Sequence, residues 1–204
     1  MSKTLIFVGA AVLIALPGLA ESDKSWSIAV GVANVDPKSD NGALDDGTEL
    51  RVDDNFQPTI TAEYLFNDNI GLELLAATPF NHDISIPGVG GIGDTKHLPP
   101  TLTLQYHFGS ADSRFRPFIG AGVNYTIFFD EDTSGPLAGA DLNIENSFGL
   151  SARAGVTIEL TDNYDLRADV RWIDISPDVE LNGASVGSVD IDPLVYGVSI
   201  VRTF

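Results

Sequence analysis

The chain has 204 residues, 44% of them hydrophobic, no cysteine, and a formal net charge of −18. That length fits one domain. The charge excludes a nucleic-acid partner, which needs a basic surface, and the lack of cysteine excludes disulfides, thiolate nucleophiles and sulfur-ligated metals.

The first element in chain order is a leader. Met1-Ser-Lys3-Thr is positively charged, Leu5 to Leu16 is apolar, and Gly18 and Ala20 are small residues placed for a signal peptidase ahead of Glu21. The run is too short to cross a bilayer as a helix, which takes about 20 residues. A cleaved signal peptide is expected over 1–20 and a single exported domain over 21–204, one unit more negative once Lys3 is gone.

From there the chain alternates with period two. Trp26-Ser-Ile28-Ala-Val30-Gly-Val32-Ala33 places large apolar residues at every second position and tiny ones between. The pattern returns over 60–66, 70–76, 100–108, 117–125, 148–158, 166–172 and 194–204. These eight segments approach the length, about 9–11 residues, with which a tilted strand crosses a bilayer. Short connections (Asn67 to Asn69, Gly109 to Arg114, Thr161 to Asn163) interleave with long ones (Asp36 to Asn55, Asn81 to His97, Asp130 to Asn146, Ser176 to Pro193). Short turns on one side and long loops on the other are the asymmetry of an outer-membrane barrel.

Period two alone does not say which face is outside, because a lipocalin-like barrel hides its large residues within. The second face decides. It carries Gly31, Gly71, Gly120, Gly122, Gly149, Gly155, Gly197, Ser27, Ser151 and Ser199 rather than the charged residues of a soluble exterior. The large apolar face therefore looks to lipid, with Trp26, Tyr64, Phe66, Tyr106, Phe108 and Trp172 near strand ends as an aromatic girdle. The predicted fold is all-β: an eight-stranded antiparallel transmembrane β-barrel with short periplasmic turns and four long extracellular loops, in the outer membrane of a Gram-negative cell. The loops are rich in Asp and Glu against only Lys38, Arg51 and Lys96, so the outer rim is acidic.

Several stretches resemble the OmpW family: Asp68-Asn-Ile-Gly-Leu-Glu-Leu-Leu-Ala-Ala-Thr-Pro-Phe80, His97-Leu-Pro-Pro-Thr-Leu102, Phe115-Arg-Pro-Phe-Ile-Gly-Ala-Gly-Val-Asn-Tyr-Thr-Ile-Phe-Phe129, Asp192-Pro193 and the terminal Phe204. The resemblance implies an eight-stranded outer-membrane barrel with a largely apolar inner pocket, passage of small hydrophobic compounds, and similarity to alkane-uptake proteins. It also implies an assembly signal for the barrel-assembly machinery in Tyr196, Val198, Ile200 and Phe204. Arg202 departs from that pattern, standing third from the end where an aromatic is common.

The inward face carries Glu63, Glu73, Arg153, Glu159, Arg167, Asp169 and Arg171 with Gln105, His107 and Asn124. Charges inside a narrow barrel must be paired or wet, so an ion-pair plug is expected in the lower barrel. Leu65, Leu75, Phe118, Phe128, Ile173 and Val195 also point inward, and Leu75, Phe128 and Ile173 lie toward the outer half. These three are the candidate substrate pocket, where a hydrophobic solute would partition; plain space-filling is the alternative.

Other motifs carry less. Gly88-Val-Gly90-Gly-Ile-Gly93 reads G-x-G-x-x-G, but Pro99 and Pro100 soon follow, so it is expected to be a flexible external loop rather than a dinucleotide site. Asn124-Tyr-Thr126 lies mid-strand and is discarded as a glycosylation site. Asp130-Glu-Asp132 and the acids from Asp36 to Asp46 lack EF-hand spacing, leaving at most divalent bridging to anionic lipopolysaccharide. His82-Asp83-Ile-Ser85 is the one compact hydrolase-like set. No catalytic residue, cofactor or resident metal is expected. Two functions stand: passage of hydrophobic solutes with lateral exit into lipid, or a non-transporting barrel whose acidic loops stabilise the envelope or act as a receptor.

Overall fold

Alternation of large and small residues builds a wall whose two faces have different chemistry, and that wall closes on itself. The computed structural model describes residues 26–39 and 41–204, so the expected leader and Asp40 lie outside the described residues. The strands are β1 (Trp26–Asp36), β2 (Arg51–Val52), β3 (Asn55–Leu65), β4 (Ile70–Ala77), β5 (Phe80–Ile86), β6 (Gly90–Leu98) and β7 (Thr101–His107). There follow β8 (Phe115–Thr133), a 3-10 turn (Gly135–Leu137), β9 (Leu142–Ile144), β10 (Ser147–Thr161), β11 (Tyr164–Ile173), β12 (Asp178–Leu181), β13 (Ala184–Ser188) and β14 (Leu194–Thr203).

Eight of these make the wall, antiparallel throughout, in the order β1-β3-β4-β7-β8-β10-β11-β14, with β14 pairing back to β1. Closure pairs each strand on both sides, which is what a sheet needs in hydrocarbon, where no water satisfies a free edge. The alternation sorts as expected. Val30, Leu104, Ile119, Leu150 and Val198 are exposed on the outer face, while Thr101, Thr103, Gln105 and His107 are buried on the inner one. The short turns are held by their own side chains. Asn67 Oδ1 accepts from the N–H groups of Asn69 and Ile70, and Asn69 Nδ2 donates to the carbonyls of His107 and Gly109, tying two periplasmic turns together.

The outer connections differ from the irregular loops expected. β8 is 19 residues long and rises past the wall. There it pairs with β6 of the β5–β6 hairpin, and β5 pairs with β2. A second sheet, β13-β12-β9, covers the same space. The reason is that these connections alternate too: Phe80, His82 and Ile84 are buried along β5 while Asp83 is exposed. The glycine-rich stretch is likewise the turn of this hairpin and the start of β6, with Gly88 and Gly90 at φ +80° and +111° and Val89 N–H donating to Ile86 O.

One seam is incomplete. The β4–β7 ladder ends at Leu75↔Thr101, and the β5–β6 ladder resumes at Phe80↔His97. Between them lie Ala76–Pro79 on one side and Leu98–Pro100 on the other, and Pro79 and Pro99 have no N–H to contribute, while Pro100 turns its carbonyl to Tyr125 of β8. The flanking seams hold, through Thr59↔Ala77 to β3 and Leu98↔Ile127 to β8.

Candidate functional site

Inside the barrel charges from four wall strands, β3, β4, β10 and β11, form one network joined by polar side chains of β7. Glu73, on β4, is fully buried and accepts from Arg153 Nη1, Arg171 Nη2 (2.8 Å) and Arg167 Nη1 (3.0 Å). Glu63, on β3, accepts from Arg167 Nη2 (3.0 Å) and from His107 Nε2 (2.6 Å). Asp169 takes Arg153 Nε and Nη2 in a fork, both at 2.8 Å. Thr103 Oγ1 and Gln105 Oε1 accept further bonds from Arg171 Nη1 and Arg153 Nη1. Phe118 lies against the faces of Arg153 and Arg167, whose guanidinium carbons are 4.9 and 5.2 Å from its ring centre.

Three carboxylates thus meet three guanidiniums, so buried charge is balanced and multiply hydrogen-bonded, as burial requires. Glycines make the room. A Cβ at Gly71 would stand 2.3 Å from Glu63 Oε1, and one at Gly155 would stand 2.6 Å from Phe118 Cζ. Glu159 stays out of the network and lines a polar vestibule of about 1140 Å³ on the periplasmic side, with Leu65, Asp68 and Arg116.

Above the plug the chemistry reverses. Phe80, Phe128, Ile173, Ile175, Val195 and the inner residues of the outer sheets form one apolar cluster. Within it is a partly open cavity of about 70 Å³ whose exposed lining is nearly all carbon, from Ile84, Ile92, Phe128, Ile144 and Val179 among others. Of the three residues singled out by strand position, Phe128 lines this cavity and Ile173 packs in the surrounding cluster. Leu75 is buried lower, on the last rung beneath the incomplete seam, and belongs to neither.

Sequence reasoning named His82 only as part of a hydrolase-like set and missed its pairing with His97. His82 and His97 are almost wholly buried in the cavity wall, their rings parallel within 6° and 4.9 Å apart. Phe80 stacks on His97 at 5.5 Å, and Phe128 leans on it at 5.6 Å. His82 Nδ1 donates to the Asp53 carbonyl. Among the described residues, His82 Nε2 and both nitrogens of His97 have no partner. Burial lowers the pKa of both rings, His97 to about 3, so both are neutral. The available signal was the period-two pattern of 80–84; strand alternation also turns Asp83 away from His82, so the hydrolase-like set does not converge.

On the outer face, Tyr196, Val198, Ile200 and Phe204 are all exposed along or just beyond β14, and Phe204 N–H closes onto Trp26 O. Arg202 lays its guanidinium over the Phe204 and Tyr164 rings, at 4.8 and 5.7 Å. The acidic rim is partly latched: Lys38 pairs with Asp192 and Asp190, and Lys96 with Asp130. Among the described residues no group of three or more metal-ligating side chains converges.

A closed antiparallel barrel with a lipid-facing apolar surface, aromatic ends and a buried charge plug is a transmembrane β-barrel of the Gram-negative outer membrane. The OmpW family model matches residues 24–204, and the chain belongs to that family. It is 43% identical to outer membrane protein W of Vibrio cholerae, over 94% of this chain and 95% of that protein. The crystal structure of OprG from Pseudomonas aeruginosa matches with TM-score 0.78 and 36% identity, covering 88% of this chain and 95% of that one. A more distant relative is the dibenzothiophene metabolism operon protein PahQ of Pseudomonas aeruginosa, 26% identical over the full length of both.

Proposed function

We propose that this barrel passes small hydrophobic molecules inward from the outer surface, through the apolar chamber and out sideways into the membrane. The observation that carries the reading is the incomplete β4–β7 seam, which lies beside Leu75 and above the plug. A solute that has reached Phe128 meets buried charge below and hydrocarbon beyond the seam. Transfer out of water is favoured by about 25 cal/mol per Å² of apolar surface, or about 4 kcal/mol for a solute of about 150 Å², and the carbon-lined chamber and the lipid beyond the seam share that preference. The operon name of the distant relative, which concerns an apolar sulfur heterocycle, supports the same substrate class.

The test is uptake of a hydrophobic compound into proteoliposomes. Phe128→Asp places a charge in the cavity wall and is expected to cut uptake severalfold while heat-modifiable gel mobility still reports a folded barrel. Unchanged uptake refutes the reading. A second reading draws on the small size of the cavity and on the acidic rim. In it the barrel does not transport, and its loops bind lipopolysaccharide through divalent cations or serve as a receptor. Loop shortening then abolishes envelope integrity in cells, and wild-type proteoliposomes show no uptake above protein-free ones. In either reading, Tyr196, Val198, Ile200 and Phe204 present the terminal strand to the barrel-assembly machinery.

A further inference from the structure

Two of the three histidines of the chain are stacked in one apolar wall, and three of their four nitrogens are unsatisfied. A buried polar atom without a partner costs free energy that a phenylalanine at the same place would not. The packing itself does not demand imidazole, because Phe80 stacks on both rings and Phe128 leans on His97, contacts a phenyl ring makes equally well. The pair also does not suit a metal. Among the described residues no third ligating side chain joins them, whereas a resident metal takes three or four protein ligands.

The hydrogen-bond inventory is specific. A carbonyl only accepts, so His82 Nδ1 must carry the proton it gives to Asp53 O, and Nε2 is left as a bare acceptor. His97, without partners, offers one donor and one acceptor. Among simple neutral groups a hydroxyl matches both rings at once, giving its proton to His82 Nε2 and accepting from the N–H of His97. A ketone or ether uses only His97, and a hydrocarbon uses neither.

We propose that His82 and His97 form a hydrogen-bonding subsite in the chamber wall, which takes the hydroxyl of a compact, otherwise apolar solute while Ile84, Ile92, Phe128 and Val179 hold its body. This rests on the reading of the chamber as the solute's way in. The nitrogens lie just beneath the carbon lining, so a ring edge must turn to meet the ligand. For His97 that turn breaks no hydrogen bond, since it has none to lose.

The experiment uses the barrel in lipid nanodiscs, titrated with phenol and with benzene and followed by NMR at the imidazole Cε1–H groups and the isoleucine methyls. His107, held in the plug, is the internal control. Phenol is expected to shift the His82 and His97 signals but not His107, and to saturate at a free concentration about tenfold below benzene, the worth of one or two net hydrogen bonds. His97→Phe keeps the aromatic stack and is expected to erase the preference while benzene still shifts the methyls. If both probes perturb the methyls with equal affinity, the subsite is overturned and the chamber stands. If neither probe perturbs them, the chamber reading fails with it.

Discussion

Glu73→Gln tests the plug most directly. Glu73 accepts from all three guanidiniums of the network and has no exposed surface. The amide keeps the shape but leaves Arg153, Arg167 and Arg171 facing only Glu63 and Asp169, an excess of one buried positive charge. Breaking a buried pair by removing one partner costs roughly 3–5 kcal/mol, and the expected loss here is about 4 kcal/mol. Urea unfolding in phospholipid vesicles, read by tryptophan fluorescence, measures it. Among the described residues Arg171 makes its ion pair only with Glu73, so Arg171→Met restores the balance of charge. The double variant is expected to recover at least about 1 kcal/mol relative to the sum of the single losses, as coupled neighbours do. A single loss below about 1 kcal/mol, or strict additivity, refutes the claim that charge pairing holds the plug.

Pro100 already turns its carbonyl to Tyr125 of β8, so it is Pro99 that faces the seam; Pro99→Val returns one N–H donor there and should slow uptake in proteoliposomes without lowering stability. Unaltered uptake would detach the seam from the route. For His97 the ordinary pKa near 6.5 is lowered to about 3 by burial, so the opened chain takes up a proton between those values that the folded one refuses. Stability is therefore flat above about pH 6.5 and falls toward pH 3, by up to about 1.4 kcal/mol per pH unit from this group. Comparing urea midpoints of wild type and His97→Phe at pH 7.5, 5.5 and 4.5 isolates that slope; parallel curves refute it.

The wall was legible from the residues because strand alternation is local. Whether a segment has a lipid side and a lumen side is written every second position, and Gly31, Gly71 and Gly155 on the lumen side show how little room the interior offers. Most of the charged network was legible for the same reason, since an inward charge in a narrow barrel is paired or wet; Glu159 took the second course and lines the vestibule. Which guanidinium takes which carboxylate was not legible, since Arg167 reaches Glu63 across 104 positions of chain.

The outer chamber was hidden for a related reason. Its strands are short and interrupted by glycine and proline, and β12 finds β9 and β8 finds β6 only through long-range pairing. His82 and His97 are 15 positions apart, and the hairpin register that pairs Phe80 with His97 and His82 with Thr95 is what brings them face to face. Pro79 and Pro99 were visible as missing donors, yet only the register shows that their gaps fall opposite one another on a single seam. Residue pattern thus determined the faces of the wall, because facing depends on the next few atoms along the chain. The tertiary structure decided the neighbours across it, because register is set by segments far apart, and the chamber, the histidine pair and the open seam are all made of neighbours.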